Sequence, residues 1–560
     1  MKIKRLDHHG IVAGVIDDLN MVPLLDKHLP QDDLQEISPG EAIKGMIMNG
    51  LGFCNRPLTL SPQFFANLPM EHLFREGVVA SHFNRHKLGR TLDQCYDFGC
   101  ESLFSLVSHQ ACEIEAVDCQ FKSLDTTSHS LTGEYAHDEE GCDEHVIRIT
   151  HGHSKAHRPD LKKVVQEMIV SQDGGIPLAV KNWDGNSADT KVFKERAKAL
   201  VKMVKTAPKP NYLVADCKLY HKDNAEFLSQ LTFITLIPST IKLEKTLITE
   251  ALAAQEWTTI DDNYQYTVNE VEHMDIKQHW IVVNSKVAGE RATKTIGRQA
   301  DRAKEILDKE LFHLQAQRYT CKEDALKSLA ALNKRQKYHQ LTELNCIAHR
   351  VYEGKGRPKK DAPVKQIVWQ TSAVVELNDK AIQHAIEQKS CFILATNADE
   401  KALSPEGILH HYKAQSVVER GFRFLKDPLF FVSSLFIKKP SRIVALLMIM
   451  TLSLLVYSIA QRRMRASMKK ANETIPNQIN IPSATPTLRW VFQCFEGINL
   501  VQTEETYDKT SIYLDGFDRL RTKIINLIGG HSLHLYNIQK SSGGGSDQCQ
   551  FQCSIAQWAA

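Results

Sequence analysis

The sequence has no Cys-x-x-Cys pair, no internal repeat, almost no net charge and a single long apolar run. Each shortage closes a class. Thirteen cysteines are scattered from Cys54 to Cys553, odd in number and without regular spacing. That excludes a disulfide framework and points to reduced thiols in a cytosolic setting. The start, MKIKRLDHHGIVAG, lacks the apolar core of a signal peptide. A net charge of +3 says nothing about partners for the chain as a whole. The apolar run, Ile443 to Ala460, is long enough to raise a membrane helix. Its flanks are basic on both sides and give no orientation. Thr451, Ser453 and Ser458 interrupt it and no second span exists, so a buried core helix is expected.

What is present is an ordinary globular composition, 42% hydrophobic and 24% charged, which excludes a disordered chain. At about 150 residues per domain, 560 residues suggest three or four units. Residues 401–470 hold thirteen Lys/Arg against three Asp/Glu, a local surface suited to polyanions. Residues 1–115 read as helical. Ser38 and Glu41 form a capping box around SPGEA with Pro39 at the first helical position. SHFNRHKLGRTLDQCYDFG reads as a basic helical hairpin, so this segment is either a plain helical N-terminal domain or, in view of the motifs further along the chain, a candidate DNA-end-binding domain.

From residue 116 the pattern changes to α/β. IEAVDCQFKSLDTTSHS carries a short strand expected to end in Asp125. KKVVQEMIV and GIPLAVKNW, joined by SQDGG, predict a β-hairpin with a glycine turn. The helix-like TKVFKERAKALVKMVKTA follows, then the strand NYLVAD ending in Asp216, another helix and the strand FITLIP. Residues 239–390 break the order with strand-like YQYTVNEVE and HWIVVNS, the charged helical run GRQADRAKEILDKELFHLQAQ and the exposed basic loop EGKGRPKKDAP. They read as an inserted α+β domain. The core resumes over 391–470, and 471–560 form a C-terminal region with the flexible tail SSGGGS.

The stretch YKAQSVVERGFRFLK, Tyr412 to Lys426, predicts one amphipathic helix. At 100° per residue, Tyr412, Gln415, Glu419 and Lys426 share one face spanning about 21 Å, with Arg423 beside it. Val418, Phe422 and Leu425 form the core stripe, and Pro428 stops the helix. By geometry alone this is either a solvated charged face, with Glu419 as counter-charge to Arg420, Arg423 and Lys426, or part of a site.

The pattern Tyr-x-x-Gln-x-x-x-Glu-x-x-x-x-x-x-Lys resembles the YREK signature of DDE transposases from bacterial insertion sequences, with Gln415 where that signature has Arg. LDTTS resembles the family's first-aspartate strand, GHSKAHRPDLKKV the loop before its hairpin, WDGNSADT the turn after it, and LVADCKLY its second-aspartate strand. VERGFRFLKDPLFFVSSLFIKKPSRIVALLMIMTLSLLVY resembles its glutamate helix and the buried helix behind it. The first hundred residues resemble the domain typical of the sixteen-thirty-four group of the IS-four-like superfamily. The resemblance covers most of residues 1–500. It implies an RNase H-like mixed-sheet catalytic core interrupted by an insertion domain, with catalytic metal ligands Asp125, Asp216 and Glu419. It further implies Mg²⁺ as cofactor, with Mn²⁺ substituting. The substrates would be terminal inverted repeats and target DNA, handled by a homodimer in the DNA complex, in the bacterial cytoplasm at the nucleoid and without a membrane.

The chemistry suits those residues. Phosphodiester cleavage and strand transfer need an oxygen nucleophile, in-line geometry and charge neutralisation, which two divalent ions about 3.5–4 Å apart supply. Mg²⁺ prefers carboxylate oxygens and water. Tyr412, Gln415, Arg420, Arg423 and Lys426 are then candidate phosphate holders, Gln415 offering only neutral hydrogen bonds. Rival sites are weaker. Six histidines between His129 and His157, with Cys142, match no standard zinc spacing. Asp184 and Asp189 follow a strand, but in a turn. Trp257, Trp280 and Trp369 are core residues or base-stacking candidates. An inactive DNA-binding relic and a nuclease of the same fold are the alternative functions.

Overall fold

The computed structural model describes residues 1–54, 56–131, 135, 147–152, 158–187, 211–353, 363–427, 429, 437–505 and 509–537. The helix expected over TKVFKERAKALVKMVKTA, the SSGGGS tail, Pro428, Asp189, His137, His145, His153, His157 and nearly all of the loop EGKGRPKKDAP lie outside them. The chain forms two compact units, Met1–Val214 with Lys413–Ala560, and Ala215–Tyr412.

The first unit joins the two ends of the chain. Strand β1 (Lys2–Arg5) pairs antiparallel with the strand Asn499–Glu505, Lys2 opposite Gln502. Helices His9–Asp18, Met21–His28, Pro39–Leu51, Arg85–Phe98 and Cys100–Ile114 follow. The Ser38 hydroxyl accepts the Glu41 N–H at 3.0 Å and Glu41 accepts the Ser38 N–H at 2.8 Å, the expected capping box. These helices surround the helix Pro440–Ala471, 32 residues and about 48 Å long. Its apolar stretch is fully buried inside the unit. Leu6, Ile43, Phe104, Met168, Phe422, Leu455 and Ile525 belong to one continuous core around it. Residues 1–115 and the C-terminal region therefore share a core, and burial of that much apolar surface is what holds them together.

Charged side chains fasten the long helix to its neighbours. Arg463 pairs with Asp18 and Glu115, Arg462 with Asp173 at 2.6 Å, and Arg442 with Asp93 at 2.6 Å. Strands β2 (Phe121–Leu131), β3 (Lys162–Ser171), β4 (Pro177–Asp184) and β5 (Tyr212–Ala215) lie in the order β4-β3-β2-β5. The β3–β4 hairpin turns through Gly174 and Gly175, both at positive φ, where a side chain is disfavoured. Strand β2 does not end in Asp125 as expected. It runs six residues further, paired with β3 from Lys122–Ser171 to Leu131–Lys162. The polar composition of TTSHS imitates a turn, yet continuous ladder pairing to an apolar β3 keeps it extended.

In the second unit, β6 (Thr232–Leu236), β7 (Thr258–Asp261), β8 (Tyr264–His273), β9 (Ile276–Ser285), β10 (His339–Tyr352), β11 (Val364–Leu377) and β12 (Cys391–Thr396) alternate with helices. The strands expected in an insertion are divided. β7, β8 and β9 continue a sheet in the order β6-β12-β9-β8-β7, while β10 and β11 form their own two-stranded sheet. The charged run is a 31-residue helix, Lys286–Ala316, whose Leu307 and Leu311 pack with Leu329, Leu332 and Leu341. Trp280 is fully buried in β9 and donates its indole N–H to Gln278 at 3.0 Å. Trp257 and Trp369 are half-buried, with the Lys322 ammonium 5.6 Å from the Trp369 ring.

Candidate active site

Side chains directly opposite each other on an antiparallel pair share a face, and so do alternate residues along a strand. On β2 this puts Asp125, Thr127 and His129 together, opposite Met168, Gln166 and Val164. The face is directed at the long helix, because the Gln166 side chain donates to the Thr451 hydroxyl at 3.4 Å. His129 is buried and hydrogen-bonded to Gln166 at 3.0 Å, and burial pulls its pKa down to about 4. It is a neutral core imidazole, and no metal-binding set of three or more His, Cys, Asp and Glu is gathered around it among the described residues. Asp125 is half-buried, and its Oδ1 accepts the Thr126 N–H at 2.7 Å.

The expected single helix through Tyr412 to Lys426 is two helices, Pro405–Ala414 and Ser416–Leu425. The Val418 N–H bonds to the Gln415 carbonyl three residues back at 3.0 Å, which tightens the turn and interrupts the regular four-residue ladder. The β-branched pair Val417–Val418 favours a break there. Tyr412 ends the second unit, and Gln415 belongs to the first. The core stripe is as expected: Val418, Phe422 and Leu425 are buried, while Glu419, Arg420, Arg423 and Lys426 are exposed. Glu419 sits in the first turn of Ser416–Leu425, where the helix dipole favours a negative charge.

Gly421 explains how close this helix lies to the sheet. A Cβ there would meet the Met168 methyl at 3.0 Å and Leu454 at 3.2 Å. Met168 is the residue opposite Asp125, so Gly421 sets the distance between strand and helix. Gly421→Ala is expected to be nearly neutral, because the Met168 methyl is flexible and a helical Gly-to-Ala change gains up to about 1 kcal/mol. Gly421→Leu is expected to lose about 1–3 kcal/mol by overpacking, read as a lower urea midpoint at unchanged slope. Equal midpoints for the two variants would refute the close-packing account.

Strand and helix together enclose an open cleft of about 540 Å³ lined by Asp125, Thr126, Thr127, Glu419, Phe422, Arg423, Lys426 and Asp427. Asp125 and Glu419, 294 positions apart, thus line one cavity. The Lys426 ammonium donates to the Thr127 hydroxyl at 2.6 Å, fixing a cation two residues along β2 from Asp125. Asp427 is paired with Arg489 from the helix Leu488–Cys494, a brace from the C-terminal region. Arg420 turns to the Ser416 hydroxyl at 3.0 Å, and neither it nor Gln415 lines the cleft. Thr127, Gly421 and Arg489 were missed in the sequence. Only Gly421 carried a local signal, a lone glycine inside a helical pattern.

Asp216 follows directly on β5 and belongs to the second unit. Its carboxylate accepts the Lys218 N–H at 3.0 Å and its carbonyl the Thr235 hydroxyl of β6 at 2.9 Å, holding it in a tight turn at the strand end. Asp184 is occupied otherwise, accepting the Arg148 N–H at 2.8 Å. Among the described residues no set of three or more His, Cys, Asp and Glu side chains is gathered to hold a metal ion. The cleft itself offers the carboxylates of Asp125 and Glu419, a third at Asp427 that is paired with Arg489, and threonine hydroxyl oxygens, hard donors of the kind a divalent cation such as Mg²⁺ takes alongside water and phosphate.

Residues 1–109 match a family described as a domain of unknown function (DUF4277). Residues 142–456 match one described as a transposase DDE domain, a span that includes Asp216 and Glu419 and begins after Asp125. No curated protein matches. Among solved structures, the chain is similar to the piggyBac transposase in a synaptic complex with hairpin DNA, at 8% identity and a TM-score of 0.30, over 81% of this chain and 75% of that one. With more than half of its length matched, the chain belongs to the transposase DDE domain family.

Proposed function

We propose that this protein is an insertion-sequence transposase of the YREK-signature, sixteen-thirty-four group, which cuts DNA at the element's terminal repeats and joins the 3′-hydroxyl ends to target DNA. The observation that carries it is the shared cleft of Asp125 and Glu419 beside Lys426 and Arg423. The order β4-β3-β2-β5 supports an RNase H-like core, with the first carboxylate on the central β2. Asp125, Asp216 and Glu419 would hold Mg²⁺ or Mn²⁺. Bound there, the metal supplies charge neutralisation and an activated oxygen nucleophile.

The chain's own side chains do the rest. Lys426, held by Thr127, presents a point charge to a phosphate. Arg423 offers a fork, which takes over the bidentate role that Gln415 cannot fill. Tyr412 contributes a hydroxyl and Arg420 a further cation near the DNA. Residues 1–115 bind the DNA end, 239–390 serve as the insertion domain, and two copies act together in the bacterial cytoplasm.

The test is to incubate the full chain with a duplex bearing the element's terminal repeats. Nicking at the repeat boundary that leaves a 3′-hydroxyl, appears with Mg²⁺ and stops with EDTA is expected. Binding of the repeat without nicking in either Mg²⁺ or Mn²⁺ would favour the regulatory relic instead.

A further inference from the structure

A second cleft in the first unit takes no part in the chemistry just described. Its volume is about 460 Å³, and it is formed where two helices begin. Arg85 and His86 come from the start of Arg85–Phe98, and Lys438, Lys439 and Arg442 from the start of Pro440–Ala471. Leu58, Leu88, Leu92 and Ile437 give it an apolar floor. Among the described residues no acidic side chain lines it.

The cations are not all equal. Arg442 is committed: its guanidinium donates to both Asp93 carboxylate oxygens, at 2.7 and 2.6 Å. This pair holds the Asp93 carboxyl below its usual range. Gly89 makes room for it, since a Cβ there would lie 2.9 Å from the Arg442 guanidinium. The pair locks the two helix starts together. Among the described residues, Arg442 is the one lining cation that is ion-paired to an acid, and that acid, Asp93, lies outside the lining. Arg85, Lys438 and Lys439 are left exposed around the rim. The N-terminus of Pro440–Ala471 has no side-chain cap, so its backbone N–H groups add positive potential on the same side.

We propose that this cleft docks the sugar–phosphate backbone of duplex DNA, separately from the carboxylate cleft. Three exposed cations spread around an open rim suit successive phosphates on a duplex better than one small anion, which needs converging donors. Lys438 and Lys439 present flexible point charges with no planar group, which suits phosphates and positions DNA without reading its sequence. The inference rests on the transposase reading, and names where outside the cutting site the DNA is held.

The experiment is binding of a fluorescent 30-base-pair duplex of arbitrary sequence to the full chain in EDTA, at a series of salt concentrations. Removing one phosphate-neutralising cation lowers the slope of log affinity against log salt by about 0.9. The triple variant Arg85→Ala/Lys438→Ala/Lys439→Ala is expected to lower it by about 2.7 and to weaken binding on the order of tenfold or more at low salt. The charge-preserving triple Arg85→Lys/Lys438→Arg/Lys439→Arg is expected to restore the slope. An alanine triple with wild-type slope and affinity overturns the docking cleft and leaves the transposase reading standing. A wild-type chain that binds no duplex at any salt overturns both.

Discussion

Asp125→Asn and Glu419→Gln are each expected to reduce cutting of end-bearing DNA by about 10³-fold, some 4 kcal/mol of barrier, while leaving duplex affinity within about threefold. The two carboxylates line one cleft from opposite sides, one on a strand and one on a helix. Each substitution keeps shape and removes charge, so loss of cutting with retained binding identifies a chemical role. Asp216→Asn is expected to behave the same way, although Asp216 is held by its own turn in the second unit. Asp184→Asn is the contrasting case: that carboxylate accepts the Arg148 N–H, and its loss is expected to leave cutting unchanged. Undiminished cutting in the Glu419 variant would return that residue to a counter-charge for its neighbouring arginines.

The largest loss of stability is expected from Arg463→Met, about 3–5 kcal/mol by chemical unfolding. Arg463 lies between Asp18 and Glu115, and all three side chains are mostly covered. Burial alone would disfavour the Asp18 carboxylate, yet the His531 backbone N–H, Arg463 and the His531 side chain hold its pKa below the usual range. Removing the guanidinium takes the paired cation from Glu115 and leaves Asp18 only its His531 contacts, with both carboxylates largely out of water, a larger penalty than the loss of one attraction. The sign with pH follows. A depressed carboxylate pKa contributes stability above the unfolded-state value of about 4, lost as pH falls through the folded value. A triple variant Asp18→Asn/Glu115→Gln/Arg463→Met is expected to recover most of the loss. If Arg463→Met costs less than about 1 kcal/mol, the cluster is peripheral.

Local signals carried further in this chain than long-range ones. The capping box at Ser38, the Gly174–Gly175 hairpin and the stripe Val418, Phe422, Leu425 are each specified within ten residues or so, and the structure has them. The end of β5 just before Asp216 was legible for the same reason, a short apolar run stopped by a polar turn. The extension of β2 past Asp125 was not, because its stability comes from β3, more than thirty residues on. The interruption at Gln415 depends on one hydrogen bond changing register in an otherwise regular helical pattern. Thr127 as the partner of Lys426, and Arg463 as the partner of Asp18 and Glu115, are choices among many polar side chains in the sequence. Only the assembled fold makes them.

The discontinuity of the first unit sets the order in which the protein matures during synthesis. Its core needs side chains from before Val214 and after Lys413, with 198 residues of the second unit between them. At about 5–20 residues per second, a ribosome takes roughly 10–40 seconds to make that interval. During that time the first half of the core has exposed apolar surface and Asp125 has no Glu419 opposite it. Closing the gap as an unstructured loop would carry a substantial entropic penalty, growing with the logarithm of its length. Folding of the second unit in the meantime shortens the effective tether. The nascent chain therefore cannot acquire the carboxylate cleft until the long buried helix has left the ribosome, and a chain terminated early carries Asp125 and Asp216 without Glu419 or the core that would set its helix beside β2.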